Sequence, residues 1–286
     1  MKRLIAVAAA VLWAGTAAAD ATTSVVGSPH DLSPTGGAIT AAGGQAQNQV
    51  CVYCHAPHNA VANGAPLWNR ANATTSFKMY SSANSATFVL DSSDTNTAAR
   101  PVGAVSLACL SCHDGQTAFN SLNVAPMFDT DPGKTLSGYT FTSGNATVTT
   151  MTDLGAPTPG ITNPNFGTDL TNEHPVSFTY DSALATLKNA GTTGGAGGLN
   201  DPSSSHTTVN GTGALIIYRG GGAAGGTADS IAAQMLFTEG GKTNQLECGS
   251  CHEPHIHGTS AVVGSNFPFL IKSNQNSYLC LTCHNK

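Results

Sequence analysis

The chain has 286 residues, of which only 9% are charged, and its formal net charge is −5. Soluble domains typically have about 25% charged residues, so this composition excludes a basic nucleic-acid-binding surface and a highly charged disordered chain. Glycine alone supplies 32 residues, and aliphatic side chains are scarce. We therefore expect a bound group to provide much of the apolar area that a core requires.

The first predicted element is an export signal over residues 1–19. Lys2 and Arg3 precede an apolar stretch that is too short to span a bilayer, and the small residues Ala17–Ala19 end the signal. No later stretch is long and apolar enough for membrane insertion. We therefore expect an exported mature protein, residues 20–286, that is extracellular or at the cell surface, or alternatively periplasmic.

The rest of the chain predicts little regular secondary structure. One short strand is expected at 87–90, a small β element at 139–150 and a brief helix at 231–237. The remaining stretches are rich in Gly, Ser, Thr and Asn, which indicates loops. Long irregular connections are uncommon in compact domains, but large cofactor faces can take the place of the missing core.

All eight cysteines lie in four copies of the pentapeptide Cys-x-x-Cys-His, numbered here motifs 1 to 4 in chain order. This is the attachment motif for c-type haem, in which two thiols bond to the haem vinyl groups and the adjacent His ligates the iron. The predicted thioether cysteines are Cys51, Cys54, Cys109, Cys112, Cys248, Cys251, Cys280 and Cys283. The predicted proximal iron ligands are His55, His113, His252 and His284. The sequence therefore predicts four haem c groups.

Three other uses of cysteine fit less well. A disulfide framework has no reason to place His after every second cysteine. Zinc ribbons do not require four trailing histidines. A thioredoxin-like redox pair uses one Cys-x-x-Cys motif, not four.

Six further histidines remain, and four of them occupy matching places in an internal repeat. Each half of the chain reads His, then CxxCHxPH, then CxxCH, which predicts two dihaem modules at about 20–173 and 174–286. The predicted distal iron ligands are His30, His58, His174 and His255. The last His of CxxCHxPH follows its proximal His by three residues. It therefore lies on the same side of that haem and is expected to ligate a different iron.

The two other histidines are less clearly assigned. His257 could replace His255 or hydrogen-bond to a propionate, and His206 is expected in an exposed loop. The methionines of the mature chain have no matching places in the two halves, so they are interpreted as core filler. Histidine on both sides of every iron predicts low-spin haems of low potential. The predicted fold is a multihaem cytochrome c, mostly coil with short helices at the CxxCH motifs and minor β structure, wrapped around a row of four haems.

The chain resembles the extracellular tetrahaem cytochromes of the outer-membrane cytochrome E type from metal-reducing bacteria. The segments that carry the resemblance are PHDLS at 29–33, CVYCHAPHNA at 51–60, PLWNR at 66–70, CLSCHDG at 109–115, HPV at 174–176, CGSCHEPH at 248–255 and CLTCHNK at 280–286. The resemblance implies bis-His haems, a homopolymer in which haems stack from subunit to subunit, and one iron whose distal His comes from a neighbouring subunit. The inserts 114–173 and 185–247 depart from the family pattern.

The expected function is electron transfer, with other redox proteins or extracellular acceptors as partners and no catalytic step. A flexible N-terminal stretch places His30 outside the haem clusters, which suggests His30 as the ligand that crosses to the next subunit. Two alternatives stay open. The protein could be a soluble periplasmic shuttle, or a multihaem reductase of a small oxyanion, which would need one iron with an exchangeable site.

Overall fold

The computed structural model describes residues 24–42, 48–61, 65–73, 75–85, 87–90, 94, 97–124, 140–155, 164–190, 198–205, 230–255, 269–272 and 274–285. The predicted signal at 1–19, His206 and His257 lie outside these ranges. No helix within them is long and apolar enough to cross a membrane.

Helices are short and are concentrated at the cysteine motifs. The α-helices are α1 (Ala104–His113), α2 (Ser182–Ala190), α3 (Ile231–Met235) and α4 (Tyr278–Cys283). The 3-10 turns span Val50–Tyr53, Met151–Leu154, Cys248–Ser250 and Gln275–Ser277. Motif 2 lies at the end of α1 and motif 4 lies on α4, while motifs 1 and 3 begin on 3-10 turns. A helical turn is therefore found at all four motifs.

The strands form three small antiparallel sheets. Their bounds are β1 (Thr40–Ala42), β2 (Thr140–Ser143), β3 (Ala146–Val148), β4 (Phe178–Thr179), β5 (Gly198–Leu199), β6 (Phe237–Glu239), β7 (Lys242–Leu246) and β8 (His284–Asn285). The strand orders are β1-β2-β3, β4-β7-β6 and β5-β8. The tight turn between β6 and β7 uses Gly240 and Gly241, both with positive φ, which suits a two-residue hairpin loop.

The predicted β element at 139–150 is the β2-β3 hairpin, and the predicted helix at 231–237 is α3, which ends at Met235. The predicted strand at 87–90 is wrong, because those residues contain no strand. The Phe88 amide instead donates to the Ser85 carbonyl at 3.0 Å in a turn, and its ring packs edge-on against Tyr80 and Phe178. Packing of one aromatic side chain outweighs the β propensity of this stretch.

Each module has its own small apolar cluster. The first cluster draws on residues between 32 and 154, and the second mainly on residues between 176 and 283. Met151 and Met235 are buried in these two clusters, and Met79 in a third, consistent with the expectation that methionines fill the core.

Buried Arg100 connects the modules by donating to the carbonyls of Ser177 at 2.9 Å and Val176 at 3.0 Å.

Candidate haem-binding site

The chain folds back on motifs 1 and 3 in the same way. After motif 1, Ala56 N donates to Leu67 O at 2.8 Å and Asn69 N donates to Cys54 O at 2.8 Å. After motif 3, Glu253 N donates to Phe269 O at 2.8 Å and Ile271 N donates to Cys251 O at 3.0 Å. Leu67 and Phe269 both have positive φ. Residues 67–70 and 269–272 are therefore a second repeated unit, which the sequence analysis did not identify.

Each of three CxxCH histidines has the ring of one predicted distal histidine at nearly the same centroid distance. The ring-centroid distances are 6.1 Å between His30 and His113, 6.0 Å between His55 and His255, and 6.3 Å between His174 and His284. Two imidazoles on opposite sides of one metal ion have centroids about 6 Å apart, since each metal–nitrogen bond is about 2 Å and each centroid lies about 1 Å beyond the nitrogen. The three gaps therefore fit an iron between each pair of rings.

The orientation of these rings also fits metal ligation. Four of the histidines form a hydrogen bond at Nδ1 to an oxygen: His55 to Pro66 O at 2.7 Å, His113 to Pro164 O at 2.7 Å, His174 to Pro175 O at 2.9 Å and His255 to Glu253 Oε1 at 2.6 Å. A carbonyl oxygen can only accept, so Nδ1 is the protonated nitrogen and Nε2 keeps its lone pair. Metal-ligating histidines commonly bond their second nitrogen in this way.

The electrostatic surroundings keep several of these rings neutral. The pKa of His30 is lowered to about 4, mainly by burial and also by the neighbouring His113, His252 and His255, while the Pro254 carbonyl opposes the shift. Burial also lowers the pKa of His113 and His252. The hydrogen bond to Glu253 instead raises the pKa of His255. A neutral imidazole is the form that binds iron.

The four motifs form a continuous series in space. Cys54 of motif 1 lies near Cys112 of motif 2, and Cys283 of motif 4 lies near Cys251 of motif 3. Between motifs 2 and 3, a hydrogen bond joins the thiols of Cys109 and Cys248, raising the pKa of Cys109 and lowering that of Cys248. Each motif thus neighbours the next one along the chain, an order that suits a row of cofactors.

The cysteines are neither joined in disulfides nor grouped, in the described ranges, with other side chains that could hold a bare metal ion. All eight are free thiols in the structure. Burial raises the pKa of Cys54 and of Cys283 to about 12, which disfavours the thiolate that a zinc site needs. In the described ranges, His, Cys, Asp and Glu form no group of three or more that could hold a bare metal ion.

The two modules contact each other through one histidine pair and through packing at motif 3. His255 belongs to the second module but faces His55 of the first, whereas the other two facing pairs each lie within one module. Gly249 in motif 3 also packs against Val105 of α1: an added Cβ would lie 3.0 Å from Val105 Cγ1 and 2.8 Å from Cζ of Phe237 in β6. The two modules are therefore interlocked.

In the described part of the chain, no other histidine ring packs against His58 or His252. Both residues reach the surface, although neighbouring atoms cover enough of the His252 imidazole to lower its pKa. The structure gives His30 an alternative within the chain to the expected contact with the next subunit. Its ring lies 4.2 Å from Phe269 and 6.1 Å from His113 of the same chain, since residues 24–42 fold onto the motifs.

A pair of acidic side chains lies where motifs 2 and 3 meet. Glu247, 1% exposed, precedes Cys248 and accepts hydrogen bonds from Ser106 Oγ and, at 2.9 Å, from Ser177 Oγ. Burial and the adjacent Glu239 carboxyl raise the pKa of Glu247 to about 9. Glu239 accepts from Val105 N at 3.1 Å near the start of α1. This pair was missed by sequence reasoning, since Glu239 and Glu247 belong to no recognisable motif.

No protein family model matches this chain, and no curated protein matches it in sequence. The assignment of the site therefore rests on the motifs and on the geometry described above.

Proposed function

We propose that this protein transfers electrons through four covalently bound haem c groups. The observation that supports the proposal best is the set of three histidine pairs, each with ring centroids 6.0 to 6.3 Å apart. Each pair contains the His of one CxxCH motif, and four of the six rings have Nδ1 bonded to an oxygen. In bound form, the haems would supply the one-electron chemistry. The protein residues hold and orient the irons.

The order of the motifs supports conduction along a row. Motifs 1 and 2, 2 and 3, and 3 and 4 are neighbours through their cysteines. Because a thioether joins each haem edge to its cysteine, neighbouring cysteines bring neighbouring haem edges close together. An electron that enters at one end can therefore pass between adjacent haems to the other end.

We further propose that the chains assemble head to tail. Within one chain, His255 of the second module faces His55 of the first. Repeating that relation between the second module of one subunit and the first module of the next brings His58, the counterpart of His255, to His252, the counterpart of His55. Among the histidines that the structure describes, these two lack a facing imidazole. A heterologous contact of this kind repeats without limit and forms a filament.

The same observation supports a second candidate function. If His58 does not ligate the iron at His252, that iron has an open position, as a reductase of a small oxyanion requires. The three facing pairs leave no comparable position at the other irons. The reductase candidate therefore places substrate at motif 3.

The experiment is to shear surface material from cells grown on an extracellular acceptor and to analyse the purified haemoprotein. We expect four haems per chain, low-spin iron throughout, and regular filaments by electron microscopy. In the His58→Ala variant, we expect no filaments and one high-spin haem in four. His30→Ala is the matched control, because it removes an intrachain ligand and should leave filaments while making one haem high-spin.

Other outcomes separate the candidates. Discrete monomers with four low-spin haems would identify a soluble shuttle. A high-spin haem in the unmodified protein that binds nitrite or hydroxylamine would favour the reductase. A chain without covalently bound haem would refute all three.

A further inference from the structure

The repeated unit at 67–70 and 269–272 ends on a cation in both modules, Arg70 and Lys272. Both residues are buried, with 1% of their surface exposed. Burial of a charge is costly unless it is compensated. A charge that served only solubility would lie at the surface. Burial of a cation at the same place in each module therefore indicates another role.

Arg70 is held beside motifs 1 and 2 entirely by neutral acceptors. Its Nη1 donates to Phe119 O at 2.8 Å, and its Nη2 donates to Ala118 O at 3.0 Å and to Ser111 O at 3.2 Å. Ser111 directly precedes Cys112 in motif 2. In the described ranges no carboxylate forms an ion pair with this guanidinium. Because arginine stays protonated in proteins, its positive charge is permanent.

The positive charge of Arg70 affects the pKa of residues that would attach two haems. Burial raises the pKa of the Cys54 and Cys112 thiols, and the Arg70 charge opposes both shifts. The pKa of His113 is lowered by burial first and also by Arg70. These cysteines belong to motifs 1 and 2, so Arg70 lies between the two attachment sites of the first module.

Lys272 occupies the equivalent place in the second module. Its Nζ donates to Thr282 Oγ1 at 2.6 Å, and Thr282 precedes Cys283 in motif 4 as Ser111 precedes Cys112 in motif 2. Burial lowers the pKa of Lys272, and the nearby Cys283 opposes that shift. Once Cys283 is a thioether it is uncharged.

In the first module, the carboxyl group of Asp114 shifts neighbouring pKa values in the direction opposite to Arg70. Asp114 follows His113 and is fully buried, accepting from Gln116 N at 2.9 Å and Thr117 N at 2.8 Å. It raises the pKa of Cys112 and His113, where Arg70 lowers both. Its counterpart after His284 is the neutral Asn285.

We propose that Arg70 and Lys272 are potential-setting residues, each raising the reduction potential of the haems of its own module. This inference rests on the proposed function. Reduction adds one negative charge at the iron, and a positive charge fixed in a poorly solvated site favours that change more than a surface charge does. Asp114 partly offsets Arg70, so the field at motif 2 reflects both groups.

The test is a potentiometric titration of the purified, full-length haem-loaded protein, followed by visible absorbance and by electron paramagnetic resonance (EPR). We expect Arg70→Met and Lys272→Met each to lower at least one of the four midpoint potentials. Arg70→Lys should retain part of the wild-type value, since it keeps the charge but loses contacts. Asp114→Asn, which preserves the side-chain shape, should shift a midpoint upward. Lys78→Met removes a cation whose side chain is 58% exposed, and should leave the four midpoints unchanged.

A purely structural role for Arg70 predicts lower stability without a change in potential. If Arg70→Met, Lys272→Met and Asp114→Asn all leave the midpoints where Lys78→Met leaves them, the inference is wrong although the protein still carries four haems. A preparation lacking four covalent haems would instead refute the proposed function.

Discussion

The pairing of His255 with His55 leads to a specific spectroscopic prediction. The planes of these rings are 19° apart, whereas they are 67° apart for His30 and His113 and 75° apart for His174 and His284. Near-parallel imidazoles separate the two iron d orbitals that form π bonds with the ligands, and near-perpendicular imidazoles leave those orbitals almost equal in energy. We therefore expect one rhombic low-spin EPR signal from the haem of motif 1 and strongly anisotropic signals from the haems of motifs 2 and 4.

The His255→Ala variant should remove the rhombic signal and convert one haem in four to high spin. One haem in four is expected to change because His255 faces only one CxxCH histidine and takes no part in the other two pairs. Added imidazole should restore the low-spin state by filling the space left on that face of the haem. Glu253→Gln is the control: it keeps the His255 ring and weakens the hydrogen bonds that the His255 Nδ1 and backbone N donate to Glu253 Oε1, so all four haems should stay low-spin.

The result that would refute this reasoning is a His255→Ala protein with four low-spin haems and an unchanged rhombic signal. His257 would then be the ligand of that iron, which is the alternative that the sequence leaves open.

Three further predictions concern the rest of the molecule. Because the pKa of Glu247 is raised to about 9 in the folded protein, the folded state retains a proton that the unfolded chain releases above its ordinary pKa near 4.5. The free energy of unfolding should therefore fall as pH rises through this range, by up to about 1.4 kcal/mol per pH unit for one proton. Glu247→Gln should flatten that dependence in guanidinium unfolding followed by Soret circular dichroism, and an unchanged slope would contradict the assignment. Gly103→Ala should lower stability by about 1–3 kcal/mol, since the added Cβ would collide with the carboxyl groups of Glu239 and Glu247; equal thermal midpoints would show that the acidic pair moves aside freely. His174→Met should raise the potential of the haem of motif 4, because a thioether ligand favours ferrous iron more than imidazole does, and a midpoint that does not move would argue against His174 as its ligand.

Much of the candidate site could be predicted because haem attachment is a local chemical pattern. Two cysteines and a histidine within five residues identify each motif, and the histidine repeat identifies His30 and His174 as ligand candidates that now face a proximal ring. The β2-β3 hairpin follows equally from local residue preferences and a Gly-containing turn at Gly144.

The pairing of ligands could not be predicted, because it depends on contacts between distant residues. His55 and His255 are 200 positions apart in the sequence, and no periodic pattern connects them. The position of His30 within the chain could not be predicted for a related reason. A Gly-rich composition predicts an irregular segment without fixing its course, whereas Asp31, which is 2% exposed, accepts hydrogen bonds from Gly27 N at 2.8 Å and from Ser33 Oγ at 2.7 Å and fixes a compact turn.

The strand expected at 87–90 shows the limit of propensity. Leu90 and the ring of Phe88 join the apolar cluster of the second module, although they precede motif 2 in the chain. The short apolar run at 87–90 predicts a strand by its residue preferences, but its side chains instead pack across the boundary between the two modules.

On the proposed function, the contact of His255 with His55 across the module boundary implies an order of events during maturation. A chain exported from its N-terminus would deliver His30 and motif 2 well before residue 255. The haem of motif 2 would therefore obtain both axial ligands while the second module is still inside the cell. The haem of motif 1 would be attached earlier but would keep one face open until nearly the whole chain has been delivered. During that interval it would be accessible to small ligands and oxidants, and docking of the second module would end that exposure.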